Sequence, residues 1–132
     1  MKRTGGIGRP KKHAIKQRDL DIMFSKIIRS RGICQAQATY RRVACGGYLQ
    51  AAHIEGRVNR RLRWDEDNAL ALCSGHHRWF SGRPVEWTTF VSIHFPRQFH
   101  YVLSVRNELV KPDYKVIHAR LKARLDAIEG VA

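Results

Sequence analysis

Histidine, asparagine and cysteine gather in residues 48–81, in types and spacings that suit hydrolysis at a metal-assisted site. His53 ends an apolar run, Asn68 follows fifteen residues later, and the pair His76-His77 comes just after Cys73. An imidazole with a pKa of about 6.5 can accept a proton at neutral pH, and its neutral form is also a common metal ligand. Between His53 and Asn68 lie Arg57, Arg60, Arg61 and Arg63, which would border any acidic polymer brought to the histidines. A candidate base, candidate ligands and a cationic border together point towards a phosphodiester as the bond acted on.

The cysteines suggest a second metal. Cys34, Cys45, Cys73 and His76 offer four soft or borderline ligands in two knuckles, a set suited to tetrahedral zinc with no open position and hence to a structural role. Cys73-Ser74-Gly75-His76 is the better half. In the other, ten residues separate Cys34 from Cys45, and Gln37 stands where a second cysteine would be expected. The alternative is a free buried thiol at Cys34 and an incomplete site. Three cysteines are an odd number for a disulfide framework, and Cys near His in a reducing compartment points to metal.

These side chains need elements to hold them. A chain of 132 residues can bury one modest core, so it reads as one domain with extensions and gains from a staple. Residues 1–17, rich in glycine and base, lack apolar periodicity and read as a flexible arm whose Arg9, Lys11 and Lys12 add phosphate affinity. Within it, Gly8-Arg9-Pro10 is similar to the core of AT-hook segments. In residues 18–31, Leu20, Met23, Phe24, Ile27 and Ile28 repeat at helical spacing, and Gly32 supplies a stop. Residues 48–54 and 69–73 read as two strands of a hairpin, and His76-His77-Arg78-Trp79-Phe80 as a short helix that Gly82 and Pro84 close. Downstream, Trp87, Phe90, Val91 and Phe95 make one helical stripe, Phe99, Val102, Leu103 and Leu109 a second. Val116, Ile117, Leu121, Leu125 and Ile128 make a third. His94, His100 and His118 lack partners at ligand spacing and read as surface or packed histidines.

Lys and Arg outnumber Asp and Glu by 25 to 11, a formal charge of +14 with a pI near 10.6, which makes nucleic acid the natural partner. No apolar run approaches the eighteen or so residues of a spanning helix, and the N-terminus lacks a signal-peptide core, so no membrane association and a cytoplasmic site are expected. A homodimer is left open.

The order of strand, His53, loop, Asn68, strand, cysteine turn and His77 resembles the HNH endonucleases, the ββα-metal nucleases, and more closely their small phage branch of NinG-like recombination endonucleases. The residues that carry the resemblance are DIMFSKIIRSRGIC, LQAAHIEGR, LRWDEDNALALC and CSGHHRWF, which cover about half the chain. The resemblance implies an α+β fold: a zinc-stapled ββα-metal core with an N-terminal helix over residues 18–95, and a C-terminal helical extension over 96–132. It implies a metal-dependent DNA endonuclease of phage or prophage origin, working in the cytoplasm of a bacterial host cell in recombination or DNA processing. His53 would be the general base and Asn68 the residue that orients its imidazole through a backbone or ring partner. His77 would bind the catalytic divalent ion, Mg2+, Mn2+ or Ni2+. Ala52 stands where many relatives carry an acidic ligand, and Ser81 where they commonly place a further His or Asn. A non-catalytic, zinc-containing DNA-binding protein with an HNH-like shell is the alternative reading. An RNA-binding, ribosome-associated basic protein fits the charge but leaves His53, Asn68 and His77 without a role.

Overall fold

A computed structural model describes residues 14–130, so Arg9, Lys11 and Lys12 lie outside the described residues. The described chain is α+β, with five α-helices and a two-stranded antiparallel sheet. Helix α1 (Gln17–Arg29) buries Leu20, Phe24, Ile27 and Ile28, spaced three and four apart on one stripe. The Asp19 carboxylate accepts the Lys16 N–H at the start of α1, and Lys26 and Arg29 sit where the helix dipole favours cations. Just beyond its end, Gly32 adopts φ +81°, a conformation that suits glycine and turns the chain away. The helix stops two residues short of the expected Arg31, whose guanidinium donates to the carbonyls of Glu66 and Ala69.

Strands β1 (Leu49–His53) and β2 (Ala69–Cys73) pair in a register that sets Leu49 against Cys73 at one end and His53 against Ala69 at the other. Every residue of β2 is buried, because helices cover both faces of the hairpin. Alternation then sorts the side chains. Ala69 and Ala71 face a cluster built from α1, Trp64 and Leu121, whereas Leu70 and Leu72 face a cluster with Phe80, Phe90 and Val91. The second cluster comes from α2 (Ser74–Ser81) and α3 (Pro84–His94). Pro96 opens α4 (Pro96–Val105) at the position where a missing N–H costs nothing, and it cannot prolong α3, so one residue both ends and starts a helix. Asp113 caps α5 (Tyr114–Glu129) by accepting the N–H groups of Lys115 and Val116.

One expectation from periodicity changes here. Helix α4 ends at Val105, so Leu109 is not part of its stripe but stands fully exposed in the connection to α5. Residues 96–129 pack on the rest of the domain. Leu121 of α5 is buried against α1 beside Trp64, and Val102 and Val105 of α4 enclose Leu62. Burying Leu121, Phe24 and Leu20 together stabilises the domain by about 1.5–3 kcal/mol per side chain, so α5 belongs to the core. No helix among the described residues is long and apolar enough to cross a membrane.

Candidate metal centre and histidine cleft

At the Leu49–Cys73 end of the hairpin the chain gathers its three cysteines around one imidazole. The Sγ atoms of Cys34, Cys45 and Cys73 and the Nδ1 of His76 all lie within 4.8 Å of one another, close enough to hold a metal ion. The three sulfurs stand 3.6, 3.6 and 3.1 Å from that nitrogen. The ring's other nitrogen, Nε2, is 2.9 Å from the Tyr40 carbonyl, which can only accept. Nε2 therefore carries the proton, and the Nδ1 lone pair is turned towards the thiols. Backbone geometry supports the cluster. Ser74 and Gly75 donate to the carbonyls of Tyr48 and Gly46, and Gly47 at φ +81° lies so close to Ser74 that a Cβ would collide with its hydroxyl at 1.7 Å.

The thiols are electrostatically unequal. Burial raises Cys73, but N–H groups of His76 and Gly46 point at its sulfur at the head of α2 and bring it down to about 6. Desolvation and the neighbouring Cys34 and Cys73 push Cys45 up to about 11. One thiolate is thus favoured and a second is resisted, a repulsion that a bound cation removes.

His53 and His77 line a cleft of about 530 Å³, together with Asp21, Phe24, Gln50 and Arg57. They also line a smaller cavity of about 180 Å³ with Ala52, Phe80, Ser81 and Trp87. His53 is the last residue of β1, and its ring stacks on Phe24 of α1 at 5.4 Å between centroids. Its Nε2 is 2.9 Å from the Arg63 carbonyl, an obligate acceptor, so Nε2 is the protonated nitrogen and Nδ1 keeps its lone pair. Burial depresses the His53 pKa below its usual value, and the charges of Arg57 and Arg63 add to that, so the ring is neutral at pH 7. His77 has the opposite tautomer. Its Nδ1 is 2.6 Å from the Gln50 side-chain oxygen, so Nδ1–H donates and Nε2 holds the free lone pair. Burial lowers its pKa as well.

Asn68 is fully buried beside this cleft, but its amide meets backbone and not the His53 ring. Its oxygen accepts the Glu55 N–H at 2.8 Å, and its nitrogen donates to the carbonyls of Glu55 and Leu62 at 3.0 and 3.1 Å. Asn68 thereby closes the loop that carries the Arg63 carbonyl to His53. The arginines of that loop divide. Arg63 pairs with Asp21 at 2.7 Å with its side chain 14% exposed, and Arg61 is held by Asp65, Glu108 and Tyr101. Arg57 also touches Asp21 but is 58% exposed, and Arg60 is exposed. Burial raises the Asp21 carboxyl, yet hydrogen bonds from Arg63, Arg57 and Trp64 overcome this and hold it below the usual carboxylate range.

Ser81 lies one turn along α2 from His77, and its hydroxyl donates to the His77 carbonyl at 2.7 Å. His94 and His100 lie on the surface away from the cleft, beside Phe90 and Phe99. Three contributors escape sequence reasoning: Gln50, Phe24 and Asp21. Gln50 has a weak signal, since a polar residue within a run otherwise apolar up to His53 invites a polar partner. Comparison with known proteins brings no match, whether to a family model, a curated protein or a solved structure.

Proposed function

We propose that the chain is a metal-dependent endonuclease of the HNH type that hydrolyses phosphodiester bonds in DNA. The observation that carries this reading is the pair of neutral imidazoles, from β1 and α2, that line one cleft with opposite tautomers. His53, with Nε2–H committed to the Arg63 carbonyl, offers Nδ1 to take a proton from a water as its oxygen attacks phosphorus. The P–O bond to the leaving sugar oxygen then breaks. His77, with Nδ1–H committed to Gln50, offers Nε2 as a ligand. A divalent ion bound there would offset the negative charge that develops on the phosphate and the leaving oxygen. Phe24 keeps the His53 ring from swinging, and Arg57 holds positive charge at the cleft.

We assign the cysteine cluster to structural zinc. Around tetrahedral zinc, with Zn–S about 2.3 Å and Zn–N about 2.0 Å, sulfur and nitrogen ligands stand roughly 3.5 Å apart. The observed separations of 3.6, 3.6 and 3.1 Å fit that spacing, and four protein ligands leave no position for a substrate.

The test is nicking of supercoiled plasmid with Mg2+, Mn2+ and Ni2+, wild type beside His53→Ala. Loss of a general base should lower the rate on the order of 10²–10⁴-fold. Wild-type protein that binds plasmid and nicks it with none of the ions would refute cleavage and leave the non-catalytic DNA-binding reading.

A further inference from the structure

The exposed side of α1 carries arginines that the histidine cleft does not use. Arg18 and Arg29 are eleven residues apart, three turns of helix, which places them on one face about 16 Å from each other. Ser25 lies between them on the same stripe, and its carbonyl accepts from the Arg29 guanidinium at 3.3 Å. Among the described residues neither Arg18 nor Arg29 enters an ion pair. Both line an open groove of about 560 Å³ that Arg57 and Arg63 close on the other side.

Two further features turn these arginines into a site. The groove's single carboxylate, Asp21, is already engaged by Arg57, Arg63 and Trp64, so four guanidinium groups face one saturated acid and the groove keeps a net positive charge. The groove is also continuous with the histidine cleft, because Asp21, Ser25 and Arg57 line both. A polyanion lying across His53 and His77 therefore meets Arg57 and then, without leaving the depression, Arg29 and Arg18. Two guanidinium groups about 16 Å apart on one helix face can meet separate phosphates of a backbone that runs along that face.

We propose that this face of α1 is a second phosphate-binding track, on which Arg18 and Arg29 hold the sugar–phosphate backbone of DNA several nucleotides from the bond at His53. The proposal rests on the nuclease reading for the nature of the polymer. It does not depend on cleavage. Guanidinium groups on phosphates fix position and register and read no bases, so the track lengthens the contacted segment without adding sequence preference.

The experiment measures binding of fluorescent duplexes by anisotropy with no added divalent ion, across a salt series, for wild type, Arg18→Gln/Arg29→Gln and Lys111→Gln/Lys115→Gln. The lysine pair removes the same charge from a cavity that shares no residue with the groove. Each lost phosphate contact flattens the slope of log K against log salt by about 0.9, so the arginine pair should flatten it by about 1.8 and weaken binding on the order of 50-fold at 0.1 M salt. The lysine pair should keep the wild-type slope. A wild-type slope for the arginine variant, or equal flattening by both pairs, would overturn the track. If the arginine variant behaves as expected while wild type nicks nothing, the track stands and the nuclease reading alone fails.

Discussion

Replacing Asn68 by alanine separates two roles that an asparagine beside the proposed base His53 can have. The side chain is 0% exposed and spans the loop of residues 54–67 with three hydrogen bonds, to both backbone groups of Glu55 and to the Leu62 carbonyl. Asn68→Ala leaves those groups facing a void. The Leu62 carbonyl retains the Asp65 N–H at 3.1 Å, so the loss falls mainly on Glu55. At about 1–3 kcal/mol for each unsatisfied buried group, with a small cavity added, the variant should lose roughly 3–5 kcal/mol. For a domain of this length that lowers the melting temperature by roughly 10–20 °C, read by circular dichroism at 222 nm. Asn68→Asp keeps the shape and still accepts from Glu55, but it sets a second oxygen against two carbonyls. Its melting temperature should recover as pH falls and the carboxyl gains a proton to donate. Nicking by Asn68→Ala should fall at temperatures where the variant is folded, because the Arg63 carbonyl no longer sits where it fixes His53. A melting shift below about 3 °C with nicking nonetheless lost would refute this account and return Asn68 to direct contact with the imidazole.

With zinc in the cysteine cluster as proposed, its removal should be severe. A structural zinc site contributes about 10–16 kcal/mol of apparent binding energy, as much as a domain's whole stability of about 5–15 kcal/mol. Elemental analysis should find one ion per chain in the cysteine cluster, and Cys73→Ser or strong chelation should abolish cooperative melting; metal-free protein with an unchanged melting curve would disprove the assignment. The activity profile should keep its plateau through pH 7 and fall only below about pH 6.5, because burial depresses the His53 pKa from its usual value and the base stays neutral to lower pH. The same shift costs stability as pH falls from about 6.5 through the folded pKa, where the unfolded chain takes up the proton first. An acid limb centred above pH 7 would contradict the burial. Ser81→His places a second imidazole one turn from His77 in the cavity that both residues line, so less Mn2+ or Ni2+ should be needed for half-maximal nicking. Identical metal titrations would mean that other groups complete the ion.

Where a residue's partner lies within a few positions, the sequence spoke plainly. The Leu20, Phe24, Ile27 and Ile28 stripe gives α1, the short apolar runs around Ala52 and Leu70 give the hairpin, and Cys73 with His76 gives half of the cysteine cluster. Partners far away in the chain are harder to read. The Arg63 charge looks free to meet a polyanion until Asp21, 42 residues earlier, is brought beside it. Leu121 shows that α5 has an apolar side but not that α1 is what covers it. Backbone acceptors leave no trace at all, since any residue type supplies a carbonyl, and so the Tyr40 and Arg63 carbonyls that choose the tautomers of His76 and His53 could not be anticipated.

The hairpin register ties the two centres together mechanically. The cysteine cluster sits at the end where Leu49 faces Cys73, and His53 sits at the other, where it faces Ala69. Helix α2 starts from the cluster: Cys73 caps it, His76 joins the thiols, and the next residue, His77, turns about 100° away to reach Gln50 on β1. A metal bound to Cys73 and His76 therefore fixes the first turn of α2, and with it the place of His77. Weakening the cluster at Cys45, its most exposed ligand, should loosen that turn while the hydrophobic clusters on both faces of the sheet still hold. In a graded series of cluster variants, nicking should then decline before cooperative melting does. The reverse order would mean that His77 is held by Gln50 and the packing of α2 alone.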